Sequence, residues 1–203
     1  MTRAANAAVR QRPTPNVEPV GRNPARPLAS TIGLAALAFS ALYFVSDAIE
    51  VAQGGFSVSQ LWLTLVSEAA IPLFVLGLAR VQRRSFGRLG WASAWAYAYS
   101  FTFFTCTVVY ALVNDTRTYA ELSRRLGPAM LLHGTVMVVA GIGFAIGVLR
   151  ARVLPRWTAA ALMSGVILVA LTQTMPTAFS LAAVALRDGA FAGMGWAVLR
   201  WRR

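Results

Sequence analysis

AMLLHGTVMVVAGIGFAIGVL, residues 129–149, runs for 21 residues without a charged side chain. Coiled as an α-helix at 1.5 Å per residue, such a run is roughly 31 Å long, which matches a hydrocarbon core about 30 Å thick. Its apolar residues are continuous and do not alternate with polar ones, so it reads as a spanning helix and not as a barrel strand. The same measure applied outward finds five further stretches, at 29–51, 58–79, 91–113, 157–175 and 178–199. The chain therefore reads as all-α, a polytopic membrane helix bundle with six transmembrane helices. Composition agrees: of 203 residues 57% are hydrophobic and 13% charged, with a mean hydropathy of +0.59, outside the usual range of soluble domains. The sixth stretch is the least uniform, because Arg187, Asp188 and Gly189 interrupt it near its middle. It is either a tilted helix, or an outer hairpin segment followed by a shorter helix from about Asp188.

Residues 1–27 carry five arginines against the single acid Glu18 and include Pro13, Pro15, Pro19, Pro24 and Pro27. A segment so poor in apolar surface reads as a flexible basic cytoplasmic tail, leaving 28–203 as the six-helix domain. The apolar run after it exceeds the 7–15 residues of a signal-peptide core, and the prolines spoil the amphipathic helix of a transit peptide. Arginine placement sets the orientation. Fifteen of the 19 arginines fall in the tail, the 80–90 and 150–156 loops and the C-terminus, whereas the opposite side holds Arg117, Arg124 and Arg125. Both termini are thus expected in the cytoplasm, facing anionic lipid headgroups. Trp91, Trp157, Trp196 and Trp201 stand at the same interface, where aromatic belts form.

The net charge of +12 does not imply nucleic acid, since the arginines alternate with apolar runs and do not gather on one basic face. The single cysteine, Cys106, rules out an intramolecular disulfide and a multi-thiolate metal site. One histidine excludes a bis-histidine haem. Phosphate-binding glycine loops, metal-ligand spacings and serine nucleophile elbows are missing, so no cofactor or metal is expected.

Charged groups inside spans are costly and mark candidate sites. Tyr43, Asp47 and Glu50 share one face near the outer end of the first span. Glu68 lies near the midplane of the second, four residues before Pro72. His133 lies near the outer end of the fourth span, and Arg187 in the outer half or middle of the sixth. Depth permits a cluster of Tyr43, Asp47, Glu50, Glu68, His133 and Arg187; contact depends on the helix faces. The competing reading has the outer groups facing headgroups and water, and Glu68 paired with Arg187 or bonded to Tyr97, Tyr99 or a threonine. Gly143 with Gly147, and Gly189 with Gly193, offer close-packing faces for the bundle itself or for a homo-oligomer.

The glycine-rich span from His133, then Gly147-Val148-Leu149-Arg150, then Val153-Leu154-Pro155-Arg156-Trp157 and on to Gly165, resembles a pattern in uncharacterised six-helix bacterial integral membrane proteins. The resemblance implies a six-helix fold and carries no catalytic residue. Arginine to the exclusion of lysine, with abundant Ala and Gly, resembles the usage of a high-GC bacterial genome and implies the cytoplasmic membrane.

Three functions follow from these residues. The first is a non-catalytic protein that binds a lipid or hydrophobic ligand, or serves as an accessory membrane subunit, with Tyr43, His133 and Arg187 as ligand contacts. The second is an intramembrane acid–base enzyme, an isomerase or cyclase of an isoprenoid or other lipid. In it Glu68 is the general acid, and Asp47 or Glu50 steadies a developing cation. The third is a proton-coupled transporter with Glu68 beside a proline-broken helix. All three require the same topology. Reporter fusions at the two ends should give the same cytoplasmic signal, and the chain should need detergent to stay in solution; ends on opposite faces, or a water-soluble chain, would refute the six-span reading.

Overall fold

The computed structural model describes residues 25–172, 175 and 177–200. Residues 1–24 of the expected tail, most of the turn expected over 173–177, and Trp201, Arg202 and Arg203 lie outside them. Seven helices make up the described chain: α1 Ala25–Gln53, α2 Val58–Val81, α3 Gly87–Val113, α4 Tyr119–Leu126, α5 Pro128–Ala151, α6 Arg156–Leu171 and α7 Thr177–Arg200. Among the described residues there is no strand. Four helices, α1, α2, α3 and α5, are long and apolar enough to cross a membrane. The 16 residues of α6 extend only roughly 24 Å, and α7 carries Arg187 and Asp188 at its centre.

Helix ends follow local chemistry. The Ser57 side chain accepts the Gln60 amide at the start of α2, occupying one of the donors a first turn leaves free. Pro27 falls in the first turn of α1, where its missing N–H costs nothing, so the helix begins at Ala25, inside the segment expected to be tail. Gly127 turns the chain from α4 into α5 at φ +53° and ψ −131°, a backbone geometry L side chains avoid, and Pro128 then opens α5 with its preset φ.

The long helices form a closed ring in the order α1, α2, α3, α5, α6, α7 and back to α1. Short connections make neighbours run up and down. The loops 82–86 and 152–155 and the C-terminal end of α7 therefore share one end, with Arg80, Arg83, Arg84, Arg88, Arg150, Arg152, Arg156 and Arg200 exposed there. Exposed Arg117, Arg124 and Arg125 stand at the other end, on and beside α4.

The basic half of the ring is filled. Phe74, Phe86, Phe144, Phe191, Leu78, Val148, Leu162 and Met194 form one buried cluster, with edge-to-face rings at 5.3 Å for Phe74–Phe191 and 5.5 Å for Phe86–Phe144. The outside of the ring is apolar. Leu73 is 74% exposed and Leu131 76%, with Leu34, Trp95, Val113 and Val139 likewise open, while Gln60, Glu68, Arg187 and Asp188 are buried. This inverts the pattern of a soluble protein and fits a bundle whose solvent is lipid.

α7 is one uninterrupted helix, so the hairpin alternative for the sixth stretch is incorrect. Arg187 and Asp188 pair with each other inside the ring and give the helix no reason to break. The ring closes where α1 meets α7 at Gly33 and Gly195: a Cβ on Gly195 would stand 2.5 Å from the Gly33 carbonyl oxygen, and one on Gly33 would stand 2.9 Å from that of Gly195. Gly143 and Gly147 pack on Ser93 and Gly90 of α3, and Gly193 on the Trp157 ring of α6, so these three are used within the chain. Gly195→Leu should separate α1 from α7 and cost about 3 kcal/mol, read from unfolding of the detergent-solubilised chain. Gly189, with open space around its Cβ position, should accept alanine within about 0.5 kcal/mol.

Candidate functional site

The half of the ring away from the basic end holds a partly open cavity of about 890 Å³, lined by residues of every helix, α4 included. Most of its wall is apolar, including Leu61, Val108, Met130, Val138, Val166 and Leu181. Its deep side meets the filled core near Tyr97 and Arg187.

Arg187 is held there by backbone packing and by counter-charges. A Cβ at Gly165 would stand 2.6 Å from the Arg187 backbone nitrogen, so glycine lets α6 approach α7 at this level. Arg187 Nε donates to Asp188 Oδ1 at 2.8 Å, Nη2 lies 3.8 Å from Asp47 Oδ2, and the guanidinium sits 4.8 Å from the centroid of the Tyr43 ring. Tyr43 in turn donates its hydroxyl to Glu68 Oε1 at 3.1 Å. A chain of contacts thus runs from α7 through α1 to α2. Tyr43 and Asp47 take part together because four residues bring side chains onto one helical face.

Beside Glu68 a second polar knot ties α1 to α2. Gln60 Nε2 donates to Ser46 Oγ at 3.2 Å and to Thr64 Oγ1 at 2.9 Å, and the two hydroxyls are 2.6 Å apart. Gln60, Thr64 and Glu68 recur every fourth residue, a stripe that sequence spacing alone could have singled out.

Four of the six expected site residues come together: Tyr43, Asp47, Glu68 and Arg187. Glu50 lines the same cavity one turn beyond Asp47. His133 stands apart, on the α3–α5 seam. Its ring stacks on Phe103 with centroids 3.6 Å apart, Nδ1 is 2.8 Å from the Ala129 carbonyl oxygen, and Nε2 is 3.0 Å from the hydroxyl of exposed Tyr99. A carbonyl only accepts, so a neutral ring places its proton on Nδ1 and receives the Tyr99 hydroxyl at Nε2. Glu68 bonds to Tyr43, a partner sequence reasoning did not name. Asp188 and Tyr97 are also part of the site, Tyr97 fully buried and stacked near Phe191.

Four buried polar atoms of lining residues have no hydrogen-bond partner: Glu68 Oε2, Gln60 Oε1, Tyr97 Oη and Arg187 Nη2. They supply acceptors, a donor and a hydroxyl able to do either. Among the described residues, no three His, Cys, Asp or Glu side chains gather as a metal site.

α4 closes the far end of the cavity with Tyr119, Leu122 and Ser123. It is a short helix that the sequence reading treated as loop. Thr118 accepts the Glu121 amide at 3.2 Å and Glu121 accepts the Arg117 amide at 3.1 Å, while Arg125 pairs with Glu121 at 2.6 Å. The Arg117 amide bond, helped by the Arg125 charge, lowers the Glu121 pKa. The ionised carboxylate therefore supports this helix above the ordinary glutamate range, and the support fades as pH falls through the lowered value.

No family model, curated protein or solved structure matches the chain.

Removing one member of a buried ion pair strands the other. Arg187→Met should destabilise the solubilised protein by about 3–5 kcal/mol, and Arg187→Met with Asp188→Leu should recover most of that loss, read from unfolding midpoints in mixed micelles. Equal stability of the single and double variants would show that the pair does not hold the ring.

Proposed function

We propose that this is a six-pass integral membrane protein, with both ends in the cytoplasm, that binds a lipid or other hydrophobic ligand between its helices without turning it over. The observation that carries the reading is the cavity, a largely apolar chamber of about 890 Å³ whose lining residues include a few that keep a buried polar atom without a hydrogen bond. Its volume falls in the range of small-molecule sites, and its few convergent polar groups fit the head of an amphipathic molecule. Lining residues Leu131, Thr135 and Val139 of α5 and Ala170 of α6 are exposed. An opening between α5 and α6 at these residues would face sideways, where a lipid would arrive.

The six-pass reading is supported by α7, whose charged pair points into the ring while Phe179 and Trp196 are exposed. The orientation is supported by the eight exposed arginines at one end, which would meet anionic headgroups at about 1 kcal/mol each. Bacterial origin and the cytoplasmic membrane are proposed from arginine usage.

A second reading, intramembrane acid–base catalysis on an isoprenoid or lipid, rests on one geometric feature. Tyr43 fixes one oxygen of Glu68, a lining residue, and the other has no hydrogen-bond partner, as a proton donor to a bound alkene would require. Glu68→Gln separates the two readings, since it removes turnover and leaves a bound ligand detectable.

Gly134 lines the cavity with no atom within 4 Å of its Cβ position, so Gly134→Phe should occupy the chamber without disturbing the ring. Mass spectrometry of extracts from protein purified in mild detergent should recover a hydrophobic compound near one per chain, reduced about tenfold or more in the variant. No compound from the unaltered chain, or equal recovery from both, would reject ligand binding.

A further inference from the structure

The charges on the wall of the cavity are unequal. Asp47, Glu50 and Glu68 line it, and the only basic lining side chain among the described residues is Arg187. That guanidinium is already committed. Its Nε is bonded to Asp188 at 2.8 Å, and Asp47 reaches it only at 3.8 Å. Arg187 is shared between Asp188 and Asp47, so the lining residues Glu50 and Glu68 have no basic lining side chain left to pair with among the described residues. Glu68 is 3% exposed, and its Oε2 has no hydrogen-bond partner.

The rest of the polar wall is Gln60, threonines and serines, and aromatic rings stand among them. Tyr43, Tyr97, Phe104 and Tyr119 line the chamber, and the Tyr43 ring already carries a guanidinium on its face. Aromatic faces attract cations, most strongly where water is excluded. Carboxyl groups among aromatic rings in an apolar chamber are complementary to a positive charge carried on a hydrophobic body.

We propose that the ligand taken by this cavity is a lipophilic cation, its positive centre set against Glu68 and Glu50 and its apolar body against the walls of α3, α5 and α6. The proposal rests on the ligand-binding reading above and narrows it to one charge class.

Tetraphenylphosphonium and tetraphenylborate test it directly, being nearly identical in shape and opposite in charge. Equilibrium dialysis uses the full chain in phosphatidylcholine nanodiscs, with empty nanodiscs as background. The phosphonium should bind saturably and the borate should not. Glu68→Gln should weaken phosphonium binding about tenfold or more, as loss of a desolvated counter-charge does. Glu50→Gln, at a residue outside the bonded cluster, should act in the same direction and serves if Glu68→Gln does not fold. Gly134→Phe should abolish binding.

Equal affinity for the two ions, or full phosphonium affinity in both carboxamide variants, would overturn the cation assignment and leave ligand binding intact. An unaltered chain that yields a co-purifying compound lost in Gly134→Phe, yet shows no saturable phosphonium binding, would do the same. Neither ion bound and no compound recovered would defeat both readings together.

Discussion

A guanidinium at the centre of an apolar helix must find its counter-charges within the protein, and that requirement organises this fold. Arg187 is the eleventh residue of a 24-residue helix, about 15 Å from its start, too deep for its head to reach either end easily. Asp188 satisfies Nε from the same helix, Asp47 approaches from α1, and the Tyr43 ring covers the guanidinium face. Each contact constrains packing. Gly165 lets α6 come within touching distance of the Arg187 backbone, and Gly33 with Gly195 lets α1 lie against α7, so the carboxylate and the ring arrive where the charge is. Association of helices in lipid depends on close packing and interhelical polar contacts, since hydrocarbon offers little hydrophobic drive. Here the two coincide on α7.

Much of this architecture was legible in the sequence because its signal is one-dimensional. Apolar run length and arginine position are read along the chain, and the helices occur at the six expected stretches with ends moved by a few residues. The end of α1 at Gln53 and the start of α3 at Gly87 extend past the apolar runs because a helix continues through polar residues until a cap or turn stops it. α4 escaped the measure because eight residues rich in charge hold no spanning run. Its signal was Thr118 with Glu121 three positions on, a capping pattern that needs no apolar face.

The site was only half legible, for a different reason. Depth along a helix follows from counting, whereas azimuth depends on neighbours, and successive residues point about 100° apart. Gly134 lines the cavity while His133, one residue earlier, lies on Phe103 at the seam with α3. Arg187 and Glu68 share a depth, yet the bond to Glu68 comes from Tyr43, because α1 stands between α2 and α7 in the ring. Ring order is a tertiary fact that no local pattern encodes. The spacing of Tyr43 and Asp47 on one face was visible, and those two residues are the ones that bridge the neighbouring helices.

Buried polar groups where α1 meets α2 are satisfied only in part. Ser46, Gln60 and Thr64 join the two helices: both hydroxyls and the amide nitrogen are bonded within 3.2 Å, which offsets the cost of burying them, while Gln60 Oε1 has no partner. Glu68, one turn below, is likewise half satisfied. One oxygen is held by Tyr43 while the other is buried without a hydrogen-bond partner; Tyr97 Oη and Arg187 Nη2 also lack hydrogen bonds, the latter lying 3.8 Å from Asp47 Oδ2. Pro72 adds to the imbalance, since it has no N–H to offer the Glu68 carbonyl four residues before it. The void persists because the ring closes through glycine contacts and aromatic packing at the basic end, which keeps the opposite half apart. A chamber kept open in this way is what the proposed ligand-binding reading requires.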